Sequence, residues 1–467
     1  MSRSAAVGLG SSVLRVPIRR GRSQDARSPR VNRTSEVLAA RCAADGEFRL
    51  ASRYWNGGLR LIIGDTLMAV TLTEGAVAPG DPGEGDGVVT LSGSVDLWDR
   101  LLAAVPAPYF HDIAPAQAFG LGRSGPELPY WQYWPAIQRA VELLREPAVG
   151  DTVRAHRTGT ADSEHENGEV RGQHRRSARS RGGSARFDSP VGRYVHLDLD
   201  GHDHRIYFEE AGQGIALLLQ HTAGSHGTQW RHLFECPEIT DRFRLIAYDL
   251  PFHGKSVPPT TRDWWAEEYQ LKGAYLRQIP VALSAALQLE QPVFMGCSVG
   301  GLLALDLAAN HPDVFRAVIS LEGALHVGGD PESLLGFWHP QVSNESKARM
   351  MQGLTSPTSP EALRKETIQM YAAGWPPAFL GDLHYYMVDY DLRDRATEID
   401  TARVGVHILS GEYDYSASPA MGRAAHEAIA GSTFAEMRGL GHFPMSEDPE
   451  SFLVHLLPVL DAIAASR

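Results

Sequence analysis

The sequence predicts an α/β fold: a mostly parallel sheet flanked by helices, with a helical cap, preceded by a small N-terminal α+β domain. Three observations lead there. From Gly192 onward, short apolar runs of strand type alternate with helical stretches, the pattern of a parallel sheet covered on both faces. Within that alternation, Gly296-Cys297-Ser298-Val299-Gly300-Gly301 joins an apolar strand to an Ala/Leu-rich helix through Gly-x-Ser-x-Gly. Residues 325–401 then interrupt the alternation with helical runs and a Ser-Pro-Thr-Ser-Pro break.

Residues 1–34 are rich in Arg and Ser, with Asp25 the only acid. They read as a disordered basic tail, and a mitochondrial transit peptide has the same composition. The three cysteines, Cys42, Cys236 and Cys297, are scattered and have neither disulfide nor metal spacing. A reducing, cytoplasmic compartment fits them best.

Residues 35–150 read as the small α+β domain. A short helix covers 36–43. Residues 48–53, 59–63 and 67–73 have the apolar patterns of strands, with Asn56-Gly57-Gly58 and Gly64-Asp65 as turns. Residues 75–87 read as a glycine- and acid-rich loop, 88–92 as a further strand, and 95–104 and 134–144 as helices. Tyr109, Phe110, Tyr130, Trp131, Tyr133 and Trp134 form an aromatic cluster of core or interface type. The stretch 48–92 with the helix at Val95 resembles sterol-carrier-protein-2-like domains. That resemblance implies an apolar tunnel and an acyl or sterol-like lipid ligand. The residues themselves read equally as an accessory or dimerisation domain with a filled core.

Residues 151–187 are Arg-, Ser-, Gly- and Glu-rich and almost free of large apolar side chains, so they read as a disordered linker. The basic run from Arg171 lacks interleaved aromatics and reads as a solvated spacer, not a nucleic-acid contact. A flexible coil of this length spans about 30–35 Å on average, which leaves the two domains free of a fixed orientation.

Residues 188–467 carry the alternation. Asp200-Gly201 makes a hairpin of 194–198 and 204–209. Strands are predicted at 215–221, 243–249, 293–297, 317–321, 404–409 and 433–437, and helices at 229–236, 271–287, 299–309, 418–429 and 449–465. Ser418-Pro419 is a helix-start pair. The cap at about 325–401 has helical runs at 344–354, 360–373 and 378–389. Its aromatic residues, among them Trp338, Tyr371, Trp375 and Tyr386, predict an apolar or aromatic pocket.

Composition excludes several functions. The chain has 467 residues, 43% hydrophobic and 21% charged, with a net charge of −12. From Asp188 onward there are about 36 acidic against about 20 basic residues, which argues against a polyanionic partner such as nucleic acid. No apolar run reaches the roughly 18 residues that span a bilayer.

Functional residues of such a sheet belong on loops at the carboxyl ends of strands. Ser298, Asp414 and His442 all fall there. A serine hydroxyl needs a base within hydrogen-bond reach, and the base needs an acid to fix its tautomer. The tight turn lifts Ser298 to the N-terminus of a helix. The loop His221-Thr-Ala-Gly-Ser-His226 follows a buried strand. Its Ala223 N–H, with the Val299 N–H, is the candidate oxyanion hole, worth about 2.7–4 kcal/mol of barrier. Glu322, which ends the strand after the serine, is the alternative acid. Cys297 reads as buried packing, and His202 and His204 as hairpin residues with no third metal ligand nearby.

These pieces resemble the α/β-hydrolase superfamily over about 275 residues, from Gly192 to the C-terminus. The resemblance rests on His221-Thr-Ala-Gly, Asp249-Leu-Pro-Phe-His-Gly-Lys-Ser256, the Ser298 turn, Gly411-Glu-Tyr-Asp414 and Gly441-His442-Phe-Pro with Glu447-Asp-Pro-Glu. It implies a serine hydrolase that cleaves a small-molecule carboxylic ester or lactone through an acyl-enzyme, with no cofactor and no metal. Two readings stand beside it: a carbon–carbon hydrolase of a β-diketone or ring-cleavage product, and a lipid carrier with a non-catalytic hydrolase fold. Thr222 stands where the family has Gly, and Phe252 and His253 where it has Arg or a second Gly. Serine, not aspartate, at 298 argues against the dehalogenase and epoxide-hydrolase branches.

Overall fold

The computed structural model describes residues 34–145 and 187–466. The expected basic tail apart from Thr34, and the expected linker apart from Phe187, lie outside the described residues.

Five strands form a first sheet: β1 (Gly57–Ile63), β2 (Thr66–Thr73), β3 (Ala76–Pro79), β4 (Val88–Gly93) and β5 (Gly122–Ser124), in the order β3-β2-β1-β4-β5. β1 pairs antiparallel with β2 and parallel with β4, so the sheet is mixed and not the simple meander that the strand run suggests. Two local expectations are corrected. Residues 48–53 are not a strand, for a helix covers Gly46–Ser52. The Asp45 carboxylate accepts the Phe48 N–H at 2.7 Å, which caps the helix. Phe48 and Ser52, four residues apart, are its buried residues, so period four prevails over alternation. The loop 75–87 contains the edge strand β3, ended by Pro79, which has no N–H to give a ladder.

Eight strands form the second sheet: β6 (Val191–Leu199), β7 (His202–Gly212), β8 (Ile215–Gln220), β9 (Phe243–Tyr248), β10 (Val293–Cys297), β11 (Ala317–Leu321), β12 (Gly405–Gly411) and β13 (Thr433–Met437). Their order is β13-β12-β11-β10-β8-β9-β7-β6. The six strands from β8 onward are parallel, and the hairpin β6–β7 is antiparallel. Asp200 and Gly201 turn that hairpin with φ of 53° and 77°, as a two-residue type I′ turn requires. β10 and β11 are buried along their whole length, which explains their continuous apolar runs. Alternate residues serve opposite faces. Phe294 packs in the core with Leu276 and Leu302 of the helices Gly273–Ala286 and Val299–Asn310. Val293 and Met295 pack in the other core with Phe452 and Leu456 of Pro449–Ala465.

The cap follows β11, with helices Asn344–Gln352, Glu361–Ala373 and Pro376–His384. The last runs into a wide turn, Tyr385–Asp389, where the Tyr390 N–H reaches back five residues to the Tyr385 carbonyl at 3.0 Å. Such turns recur at functional sites. Among the described residues no helix is long and apolar enough to cross a membrane.

The N-terminal region packs against the cap, an arrangement that linker length alone does not impose. Arg349 bonds Glu47 and Glu142, both at 2.6 Å, and the Lys365 ammonium bonds Glu47 at 2.6 Å. The Trp131 ring lies 4.6 Å from that of Phe337, and His111 Nε2 bonds the Gly353 carbonyl at 2.9 Å. Linker entropy limits the reach of two bodies, whereas an interface of paired charges and rings decides whether they dock. Burial opposes ionisation of Glu142, yet Arg349, Arg145 and Arg139 outweigh it and hold its carboxyl down to about 2. Replacing Arg349 by Leu leaves both carboxylates without this guanidinium. A cost of about 2–3 kcal/mol is expected, under the roughly 3–5 kcal/mol of a fully buried pair, because Glu47 is partly exposed. Thermal unfolding checks it: a midpoint several degrees lower is expected, and an unchanged midpoint would mean the cluster contributes nothing.

Candidate active site

β10 ends at Cys297, and Ser298 turns the chain into the helix Val299–Asn310 with φ 60° and ψ −114°. A non-glycine residue held there costs about 1–3 kcal/mol and persists only where its surroundings over-determine it. The surroundings do so through glycine. A Cβ on Gly296 would lie 2.3 Å from the Gly300 carbonyl oxygen, and one on Gly300 2.7 Å from Gln220 Cγ. The Ser298 N–H donates to the Leu321 carbonyl at 3.0 Å, which fixes the turn to β11.

Asp414 lies beyond β12 and is 1% exposed; His442 lies beyond β13 and is 3% exposed; Ser298 is 5% exposed. The Asp414 carboxylate accepts the Ser416 N–H at 2.7 Å and the Ala417 N–H at 3.3 Å. Its Oδ2 lies 2.7 Å from His442 Nδ1. With the Nδ1 proton committed there, Nε2 is left as the basic nitrogen. The His442 backbone is held from two sides. Its N–H donates to the Leu354 carbonyl at 2.9 Å, and its carbonyl accepts the Cys297 thiol at 3.1 Å. Cys297 thus ties the serine turn to the histidine loop instead of facing a substrate. The Tyr386 hydroxyl bonds Ser416 Oγ at 3.0 Å and lies near Ser298.

Glu322 is not paired with the histidine. It sits behind Asp414, wholly buried, with φ 52°. Both its oxygens accept the Gly411 N–H at 2.9 Å. Burial, and then the neighbouring Asp414, push its carboxyl well above the usual range. Two carboxylates this close do not both ionise. Glu322 keeps its proton, and its side chain hydrogen-bonds Asp414. The alternative acid is therefore a neutral neighbour of the first.

The loop 221–226 is over-determined in the same way. His221 is neutral, for Nδ1 donates to the Thr222 carbonyl at 2.8 Å while Nε2 accepts the Leu250 N–H at 3.0 Å. Burial and the nearby His253 depress its pKa well below the ordinary value. Gln229 Oε1 accepts the Thr222 N–H at 3.0 Å, and Asp382 the Gly224 N–H at 2.8 Å. Ala223 and Val299 are buried, and among the described residues neither N–H is met by an acceptor. They are the two candidate oxyanion donors.

Sequence reasoning missed what holds Gly224. Asp382, on the cap helix Pro376–His384, also accepts the Tyr269 hydroxyl at 3.0 Å and His253 Nε2 at 2.8 Å. His253 Nδ1 lies 2.9 Å from the Pro251 carbonyl. With acceptors at both nitrogens, the imidazolium form of His253 is favoured. Burial opposes that charge, but Asp382 outweighs it and raises the pKa. The departure from family pattern at Phe252-His253 was the visible signal, and its partner lies 129 residues further along the chain. A raised histidine pKa stabilises the folded state fully below the unfolded value, near 6.5, and the contribution is lost as pH rises through the folded value. Urea midpoints of wild type and His253→Gln should therefore differ more at about pH 6 than at about pH 9. A difference independent of pH would show His253 to be neutral.

A cavity of about 530 Å³ lies beside this loop, lined by His226, Asp249, Phe252, Lys255 and Trp375 among others, and by none of Ser298, Asp414 and His442. It is separate from these three residues.

Residues 215–449 match the family model described as alpha/beta hydrolase fold. An uncharacterised protein of Mycobacterium bovis is 27% identical over 276 residues, covering 54% of this chain and 77% of its own. The pimeloyl-[acyl-carrier protein] methyl ester esterase of Vibrio vulnificus is 24% identical over 266 residues, covering 54% and 96%. The solved structure of a thermophilic esterase from Thermogutta terrifontis, with malate bound, aligns with a TM-score of 0.51 at 19% identity. It covers 58% of this chain and 100% of that one.

Proposed function

The chain belongs to the alpha/beta hydrolase fold family, and on that premise we propose that it is a serine hydrolase of carboxylic esters or lactones, with Ser298, His442 and Asp414 as its triad. The observation that carries the reading is the 2.7 Å contact of His442 Nδ1 with Asp414, on a loop tied to the strained Ser298 turn through Cys297. Ser298 Oγ attacks the carbonyl carbon while His442 Nε2 takes its proton. The oxyanion that forms meets the N–H groups of Ala223 and Val299, in a site dry enough for such dipoles to count. The ester bond then breaks, His442 gives the proton to the leaving alkoxide, and the acyl group stays on Ser298. Water, deprotonated by His442, releases the acid and restores the serine. Glu322 contributes a neutral carboxyl that holds Asp414 in register.

For the N-terminal region we propose a structural part in place of lipid carriage. Phe48, Trp55, Leu61 and Trp98 fill its interior at 0% exposure, and one side of it, through Glu47, Glu142 and Trp131, is committed to the cap.

Labelling with a fluorophosphonate and mass mapping tests the triad directly. The adduct is expected on Ser298 and is absent from Ser298→Ala. Asp414→Asn should lower kcat about 10⁴-fold on an ester or lactone substrate. A folded sample that takes no label, or one labelled elsewhere, overturns the reading. Turnover of a β-diketone with no turnover of esters would move the chemistry to carbon–carbon cleavage on the same residues.

A further inference from the structure

Lys347 is a buried charge that the proposed mechanism leaves unused. It lies on the cap helix Asn344–Gln352 with 1% of its surface exposed. Its Nζ has no hydrogen-bond partner among the described residues. It hangs 5.9 Å from the centroid of the Phe379 ring. The charge that acts on it is that of Asp382, whose oxygens are already taken by Gly224, Tyr269 and His253. Burial outweighs this attraction and brings the amine down to about 8. An ammonium with three unused donors is costly to bury.

Its position says what it faces. Lys347, Met351 and Leu354 recur at the i, i+4, i+7 spacing of one helical face, and all three are buried. The Leu354 carbonyl at the end of that face takes the His442 N–H. Phe379, beneath the ammonium, packs against the oxyanion loop: a Cβ on Gly224 would lie 2.6 Å from Phe379 Cβ. Trp338 stacks on Phe379 at 5.8 Å. Lys347 thus stands on the inner side of the cap, over the loops of Ala223 and His442, in an apolar aromatic layer.

Resting on the serine-hydrolase reading, we propose that Lys347 is a specificity-determining residue that pairs with a free carboxylate on the substrate, so the preferred substrate is an ester or lactone bearing a second, anionic group. The carboxylate supplies the partner that the ammonium lacks, and the rings around it accept the intervening carbon chain. An ammonium–carboxylate pair out of water forms a strong charge-assisted bond.

The test compares monomethyl esters of linear dicarboxylic acids, from succinate to suberate, with neutral methyl esters of equal chain length. The full-length chain should favour at least one charged ester. In Lys347→Met the charged-to-neutral ratio of kcat/KM should fall tenfold or more, chiefly through KM, and Lys347→Arg should retain part of it. A purely structural role would lower both substrates alike and leave the ratio unchanged. That result, or the absence of any charge preference in wild type, overturns the proposal. Calorimetric binding of the same monoesters to Ser298→Ala separates this inference from the reading beneath it. Binding that depends on Lys347, where wild type hydrolyses no ester, supports the anion pocket and sinks the hydrolase. Hydrolysis of neutral esters with no Lys347-dependent binding does the reverse.

Discussion

A serine held at φ 60° between a buried strand and a buried helix constrains everything around it. The turn is tight only because backbone atoms from β8 and from the helix's own first turn occupy the space where side chains would stand at Gly296 and Gly300. That compaction brings the helix N-terminus close to the carboxyl ends of β8 and β11. The candidate oxyanion donors, the histidine loop and the buried acid then converge at one sheet edge. The strain at Ser298 is thus not a local matter. It is offset by the packing of a whole parallel sheet, and any loosening of that sheet would be felt first as a misplaced hydroxyl.

Two buried histidine–carboxylate pairs flank the turn, and the contrast between them is instructive. In His442–Asp414 one ring nitrogen is engaged by the acid. In His253–Asp382 both nitrogens meet acceptors, which favours the charged ring. The second pair fastens the cap to the loop that carries Ala223. Burial and Asp414 favour the uncharged form of Glu322. The balance at each buried group is set by the number and kind of its neighbours.

Much of this was legible in the sequence, and the limit has a physical origin. Strand–turn–helix periodicity and glycine spacing are local, so Ser298 and its elbow could be read directly. Asp414 and His442 could be read because both sit immediately after strands in a fixed chain order. The helix Gly46–Ser52 was misread because an apolar run of that length suits either period, and a cap by Asp45 decided it. Lys347 and Asp382 left no local mark, and Tyr386 read only as one cap aromatic among several. Their meaning comes from contacts with loops far away in the chain, and a helix buried on most sides looks, in sequence, like an ordinary amphipathic cap helix. The docking of the N-terminal region was hidden for the same reason: Glu47 and Arg349 are separated by 302 positions.

That docking gives the cap two commitments. Its outer side is tied to Glu47, Glu142 and Trp131, and its inner side to Gly224 through Asp382 and to Ser416 through Tyr386. A lid that is clamped on both surfaces is poor material for modular exchange. Grafting a cap from a relative would strand the N-terminal carboxylates and unmoor the loop of Ala223 together. Single replacements on the inner side of Asn344–Gln352 leave both commitments standing, so the scaffold channels variation towards point changes in charge and bulk.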